Sequence, residues 1–247
     1  APTPDPHDIT NLAEHLRTCT RPVLWLGAGV NAADAEDAVR SLAHLLGAPV
    51  LTSYAGRGLL AGDPLLVDAP VHEPEVDAVL AEADLLLVVG SGFDGMNTKN
   101  WRMALPDVRT ALTLGDVLER TTDFDCIVKA DARLGLEALL EELADMAPRS
   151  PWREVSGIRG AIMARLAADP RTASAVAWID AVAAGWPDAS AIVCDMAVGA
   201  YWIGGYSSQP RPRRLLHSVG WGTLGYAMPA AMGPAAVGIP TLAVCGD

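Results

Sequence analysis

The feature that most narrows the fold is a recurring unit in the first half of the chain. A short, wholly apolar run ends on glycine and leads into an amphipathic stretch. Pro22-Val23-Leu24-Trp25-Leu26 runs into Gly27-Ala28-Gly29, and Asp84-Leu85-Leu86-Leu87-Val88-Val89 ends at Gly90. Runs this short and this apolar fit strands buried on both faces, and the glycines fit tight turns. Between them, residues 33–46 place Ala35, Val39, Leu42, Leu45 and Leu46 at helical spacing, with Gly47 where a C-terminal cap belongs. Further strands are expected at 49–52, 110–114 and 126–129, and further helices at 74–83 and 132–147. Residues 1–10, rich in proline and aspartate, read as an arm ahead of a helix over 11–20.

This alternation predicts an α/β fold: a Rossmann-like parallel sheet with helices on both faces. Sheets of this kind bind ligands beyond the carboxyl ends of their strands. Those ends carry Gly27–Val30, Ser53–Gly58, Gly90–Asp94 and Gly115–Asp116. Pro148-Arg149-Ser150-Pro151 marks a boundary, so residues 1–150 are expected to form a central unit and 151–247 a second, partial α/β unit. That second unit opens with linker helices over 156–167 and 173–185. Strands follow at Ala191–Cys194, ending at Asp195, and at Leu215–Val219. A helix opens near Gly225 and runs through Pro229–Val237, and Thr241–Cys245 is a last strand.

Composition removes several function classes. Hydrophobic residues make up 51% of the 247 residues, which supports a sizeable core, and the formal charge of −12 disfavours a nucleic-acid partner. Cys19, Cys126, Cys194 and Cys245 are far apart with no paired spacing, so buried free thiols are expected instead of zinc or disulfides. No apolar run is long enough to span a bilayer and no leader is visible. The expected setting is cytoplasmic, with no membrane partner.

Two glycine loops carry the chemistry. Gly27-Ala28-Gly29-Val30-Asn31-Ala32 fits the dinucleotide pattern G-x-G-x-x-A, but the next strand ends Leu51-Thr52-Ser53, without the acid that holds a ribose. A bare strand–helix turn and an adenine-nucleotide site (FAD, ADP or coenzyme A), in a module without catalysis, are both open. Gly220-Trp221-Gly222-Thr223-Leu224-Gly225 fits G-x-G-x-x-G outright and is followed by a strand ending in Asp247. On spacing alone this is a site for an NAD-dependent oxidoreductase.

The order of the loops, with the residues around them, resembles a known family. The stretches RPVLWLGAGV (21–30), LGAPVLTSYAGRGLLAGDPLL (46–66) and EADLLLVVGSGFD (82–94) are similar to the central domain of thiamine-diphosphate-dependent enzymes of the acetolactate synthase and 2-oxo-acid decarboxylase group. WPDASAIVCDMAVGAYW (186–202) resembles the opening of that group's diphosphate-binding domain. SVGWGTLGYAMPAAMGPAAVG (218–238) is similar to its G-x-G-x-[Met/Leu]-G-x-x-x-P-A-A-x-G signature, and Cys245-Gly246-Asp247 to the start of its G-D-G metal motif.

The resemblance implies thiamine diphosphate and Mg²⁺. Leu224 matches the bulky apolar residue beneath the bent cofactor. The carbonyl of Gly222 matches the acceptor for its 4′-amino group, with Thr223 between them, and Asp247 matches the first metal ligand. No catalytic side chain is implied within these residues, because the family's glutamate belongs to a pyrimidine-binding domain not present in the 247 residues. The chain is therefore expected to be an incomplete piece, inactive alone, of an enzyme that is a homodimer or homotetramer and acts on a small 2-oxo acid. Without the resemblance, Leu224 reads as a core leucine and Asp247 as a terminal acid. Asp195, Tyr201, Trp202 and Tyr206 border a substrate pocket or pack against a neighbouring domain. Ser91-Gly92-Phe93-Asp94-Gly95-Met96 lacks both arginines of the flavin-binding synthases' Arg-Phe-Asp-Asp-Arg-like stretch, and Thr113-Leu114-Gly115-Asp116 replaces their acidic strand end. Both departures weigh against FAD.

Overall fold

The computed structural model describes residues 1–114, 123–186, 190–220 and 222–246. Gly115, Asp116, Trp221 and Asp247 lie outside the described residues.

The first sheet holds strands β1 (Pro22–Leu26), β2 (Val50–Thr52), β3 (Leu85–Val89), β4 (Val108–Thr113) and β5 (Cys126–Lys129). All pairings are parallel, in the order β2-β1-β3-β4-β5. Every residue of β1, β2 and β3 is buried, as uniformly apolar strands covered on both faces must be. Two cores flank this sheet. On one side, α1 (Pro6–Thr18), α3 (Glu36–Leu46) and α5 (Ala132–Glu142) bury Leu12, Leu16, Leu42 and Leu136 against Leu24, Leu87 and Val128. On the other, α4 (Pro74–Glu82), α6 (Ile158–Ala168) and α7 (Ala173–Gly185) cover Trp25, Leu86 and Val88. Trp25 is fully buried, with the Phe93 ring edge-on at 4.9 Å.

Two details differ from the sequence reading. The N-terminal ten residues are not all an arm. Asp5 accepts a hydrogen bond from the His7 N–H and Pro6 sits at the first helical position, so α1 starts inside the Pro/Asp-rich stretch and buries Ile9. The helices assigned to a linker are also part of the first core: Ile162, Leu166, Val176 and Ile179 pack with Val76, Val79 and Leu80.

The second sheet has strands β6 (Ala191–Cys194), β7 (Leu215–His217) and β8 (Thr241–Val244), parallel, in the order β7-β6-β8. Helices α8 (Val198–Tyr206) and α9 (Ala227–Ala236) connect them. Both sheets thus reverse direction beside their first strand, between β1 and β3 in one and between β6 and β8 in the other. The helix α2 (Ala28–Ala32) begins at the first of these switch points.

The two halves are pinned together by buried polar contacts. The Arg57 side chain is only 2% exposed, pairs with Asp68 at 2.9 Å and donates to the Ser207 carbonyl at 2.7 Å. Burial lowers its guanidinium pKa, and Asp68 opposes that shift. The Tyr206 hydroxyl donates to Glu73, which also receives Arg165. Gly204 lies so close to the His217 ring that a Cβ there would meet Nδ1 at 2.5 Å.

At the first switch point, backbone meets backbone. Gly27 N donates to the Val89 carbonyl at 2.9 Å and Gly29 N to the Gly90 carbonyl at 2.7 Å. A Cβ on Gly90, whose φ is +58°, would sit 2.7 Å from the Val30 nitrogen. Gly90→Ala is expected to destabilise the protein by about 2 kcal/mol or more, from the left-handed backbone and the clash together. Urea unfolding checks this, and an unchanged midpoint would contradict the packing described.

Candidate functional site

The two glycine loops meet opposite surroundings. In the first, a Cβ on Gly27 would lie 2.4 Å from the Gly90 carbonyl oxygen, and one on Gly29 would lie 2.7 Å from the Gly90 Cα. These glycines are explained by the protein's own packing. Beside them the ends of β3, β4 and β5 enclose a cavity of about 200 Å³, lined by Gly92, Thr113, Leu114 and Asp131 among others. Its lining contains no lysine or arginine among the described residues.

In the second loop, Gly222 and Gly225 have φ of +64° and +71°, which only glycine adopts readily. Here the protein supplies almost nothing to crowd them. Among the described residues, no atom beyond the chain neighbours lies within 4 Å of a Cβ built on Gly220 or Gly225, and Gly222 meets only the Met196 methyl at 3.7 Å. Leu224 is 78% exposed, so it is not the core leucine that its position at a helix start allowed. Close packing gives no reason for so much glycine and so exposed a leucine.

The loop is nonetheless held in shape. Gly222 N donates to the Ser218 carbonyl at 3.1 Å, and the Ser218 hydroxyl donates to the Thr223 carbonyl at 3.1 Å. At its far end, Gly225 N and Tyr226 N donate to the two carboxylate oxygens of Asp195 at 3.0 and 3.2 Å. Asp195 directly follows β6 and is only 5% exposed. Around it lie the ends of the other strands. The His217 ring donates from Nε2 to the Asp195 carbonyl at 3.1 Å, and its Nδ1 is buried without a partner. Burial holds the His217 pKa below its ordinary value, which keeps the ring neutral. A Cβ on Gly246, past the end of β8, would meet Ala197 at 3.4 Å.

The structure therefore brings Gly222, Thr223 and Leu224 together with Asp195 and Gly246 at the second switch point. Asp247, the expected metal ligand, follows Gly246 directly but lies outside the described residues. Among the described residues, no group of three His, Cys, Asp or Glu side chains is placed to hold a metal. The aromatic side chains face inward. Tyr201 leans on His217 with ring centroids 5.5 Å apart, and Tyr206 packs on Trp202 and reaches Glu73 and His72 in the first half. All four cysteines are free thiols. Burial pushes Cys126 and Cys194 up to about 11 and about 12, which makes both inert at neutral pH.

The sequence reading missed two parts. In the sequence His217 reads only as a strand residue, and nothing in its neighbours points to the Asp195 carbonyl. The role of Asp195 had a visible signal. Helix α9 opens at Gly225-Tyr226 with no Ser, Thr, Asp or Asn to cap it, and Tyr226 makes no side-chain capping bond. Such a helix needs a cap from elsewhere.

The segments 195–198, 218–226 and 245–246 contain no lysine, arginine or histidine. Backbone amides and a metal ion would therefore have to neutralise a phosphorylated ligand here. No helix among the described residues is long and apolar enough to cross a membrane.

Comparison with known proteins identifies the family. Residues 9–139 match the family model for the thiamine pyrophosphate enzyme, central domain. Residues 197–247 match that for the thiamine pyrophosphate enzyme, C-terminal TPP binding domain. A protein described as a probable 2-ketoarginine decarboxylase, AruI, from Pseudomonas aeruginosa is 37% identical over 247 residues, covering 95% of this chain and 42% of the relative. The acetolactate synthase large subunit of Corynebacterium glutamicum is 29% identical over 243 residues, covering 94% of this chain and 39% of the relative. The chain thus spans about two fifths of the length of these relatives. A solved structure, described as a thiamin diphosphate-dependent enzyme from Mycobacterium smegmatis, superposes with a TM-score of 0.73 at 21% identity. It covers 97% of this chain and 47% of its own. With a central-domain match over more than half its length and a cofactor-domain match through the open glycine loop, the chain belongs to the thiamine pyrophosphate enzyme family.

Proposed function

We propose that these residues supply the diphosphate-binding half-site of an enzyme that cleaves or forms the carbon–carbon bond next to the carbonyl of a 2-oxo acid, as a decarboxylase or carboligase. The carrying observation is the second glycine loop: shaped by its own hydrogen bonds, yet with Leu224 standing exposed and, among the described residues, nothing packed on Gly220 or Gly225. A 2-ketoarginine decarboxylase and acetolactate synthases among the relatives support this class of chemistry.

When bound, thiamine diphosphate supplies the electron sink that stabilises the carbanion left as the bond breaks. The protein's own residues position it. Leu224 would offer the cofactor an apolar support. The backbone carbonyl of Gly222 would accept a hydrogen bond from its amino group, with Thr223 between Gly222 and Leu224. Asp247 would provide a hard oxygen ligand to Mg²⁺, which suits loop segments that carry no lysine or arginine. The proton-donating glutamate comes from another part of the enzyme, so residues 1–247 taken by themselves neither turn over nor hold the cofactor tightly. The full enzyme works as a homodimer or homotetramer in the cytoplasm.

The test uses the full-length enzyme, thiamine diphosphate, Mg²⁺ and a panel of 2-oxo acids. Turnover is expected to require both additions, to vanish with a chelator and to return with Mg²⁺. Turnover without thiamine diphosphate, or reduction of NAD with no cofactor requirement, would refute the proposal.

Leu224 gives a sharper prediction. Because it is exposed, Leu224→Ala should change the unfolding free energy of the cofactor-free protein by less than ~0.5 kcal/mol. In the loaded enzyme it should lower kcat/KM at least tenfold, or about 1.4 kcal/mol of transition-state stabilisation. Denaturant titration and steady-state kinetics check the two halves, and a large stability loss with unchanged kinetics would return Leu224 to a packing role.

A further inference from the structure

We propose that Asp195 is the positioning residue of the cofactor loop: its buried carboxylate grips the Gly225 and Tyr226 amides and so presets the backbone that offers Gly222 and Leu224 to thiamine diphosphate. This rests on the cofactor reading given above and adds a residue that the resemblance does not assign.

The argument begins with where Asp195 sits. It directly follows the central strand β6, its own N–H is held by the Val244 carbonyl of β8 at 2.9 Å, and its carbonyl receives His217 of β7 at 3.1 Å. All three strands of the sheet thus fix its backbone. Its carboxylate receives three backbone amides: Met196 at 3.1 Å, Gly225 at 3.0 Å and Tyr226 at 3.2 Å. No lysine, arginine or histidine pairs with it among the described residues, so these amides and the N-terminal end of α9 are what hold the buried charge.

The mechanical consequence is directional. Each oxygen takes one loop amide, so the peptide between Gly225 and Tyr226 cannot rotate without breaking a charge-assisted bond. The Gly225 N–H belongs to the peptide that joins it to Leu224, so the two bonds together hold the peptides on either side of the left-handed Gly225. At the other end, Ser218 closes the loop onto Gly222 and Thr223. The loop is therefore anchored at both ends, and the Asp195 anchor ties it to the end of the central strand β6. Asparagine is isosteric but has a single accepting oxygen, and its NH₂ group would face an N–H of the loop. Asp195→Asn should release one anchor without changing volume.

The test uses full-length wild-type and D195N protein. Cofactor affinity is measured by titrating thiamine diphosphate at saturating Mg²⁺, amide exchange is followed by mass spectrometry, and kcat is measured at saturating cofactor. D195N is expected to bind thiamine diphosphate at least tenfold more weakly. Its kcat should stay depressed at saturation, and exchange should be faster in peptides covering 218–226 while peptides from β1–β5 are unchanged. A D195N protein that melts lower but keeps the wild-type cofactor affinity and kcat would overturn the proposal, since that is what a helix cap alone does. A wild-type protein that binds no thiamine diphosphate would overturn the cofactor reading itself, and this proposal with it. A second measurement needs no variant. In cofactor-free wild-type protein the Gly225 and Tyr226 amides should already be protected from exchange. Free-peptide exchange rates there, with protection only after cofactor addition, would show that Asp195 presets nothing.

Discussion

Where the strand order of a parallel sheet reverses, the connections from two neighbouring strands leave in opposite directions and open a gap between them. Most of what this chain does follows from filling the two gaps differently. In the first sheet the filler is the protein itself: Gly27 and Gly29 press against Gly90 so closely that no side chain fits. In the second, the loop at the switch point stands clear of its own chain, and Leu224 faces outward. The same kind of motif therefore makes a packed joint in one place and a prepared surface in the other. Glycine count and spacing do not distinguish them, whereas the surroundings of the glycines do.

The prepared surface depends on the joint. Arg57 and Tyr54 leave the first sheet to meet Ser207, Gly205 and His217 of the second half, and Glu73 receives Tyr206. His217 then passes to the Asp195 carbonyl. The end of β6 is thus held by its own sheet and, through His217, braced against the larger core. A loop that must present backbone groups to a ligand at hydrogen-bond precision gains from such rigid support.

Much of the fold was legible in the sequence because its strands are buried on both faces. Uniform runs such as Pro22–Leu26 and Leu85–Val89 can be little else, and Gly47 and Pro74 mark helix ends by local chemistry alone. The misreadings are equally physical. The start of α1 looks like an arm because proline and aspartate are loop formers as well as helix starters. The helices at 158–185 look like a linker because their apolar residues give weak periodicity. Only the tertiary structure shows that Ile162 and Ile179 enter the first core. For the site, the motif located Gly222, Thr223 and Leu224, but exposure could not be read from letters, and leucine at a helix start is ordinarily buried. Asp195 acts across 30 residues of chain, a distance at which sequence pattern is silent.

The most direct test of the central claim is a structure of the full-length enzyme with thiamine diphosphate and Mg²⁺ bound. The account predicts the cofactor bent over Leu224, its amino group within hydrogen-bond distance of the Gly222 carbonyl, and Mg²⁺ on Asp247, with the Asp195 contacts to Gly225 and Tyr226 unchanged. A cofactor bound away from this loop, or a dinucleotide seated on Gly220–Gly225 in its place, would contradict it.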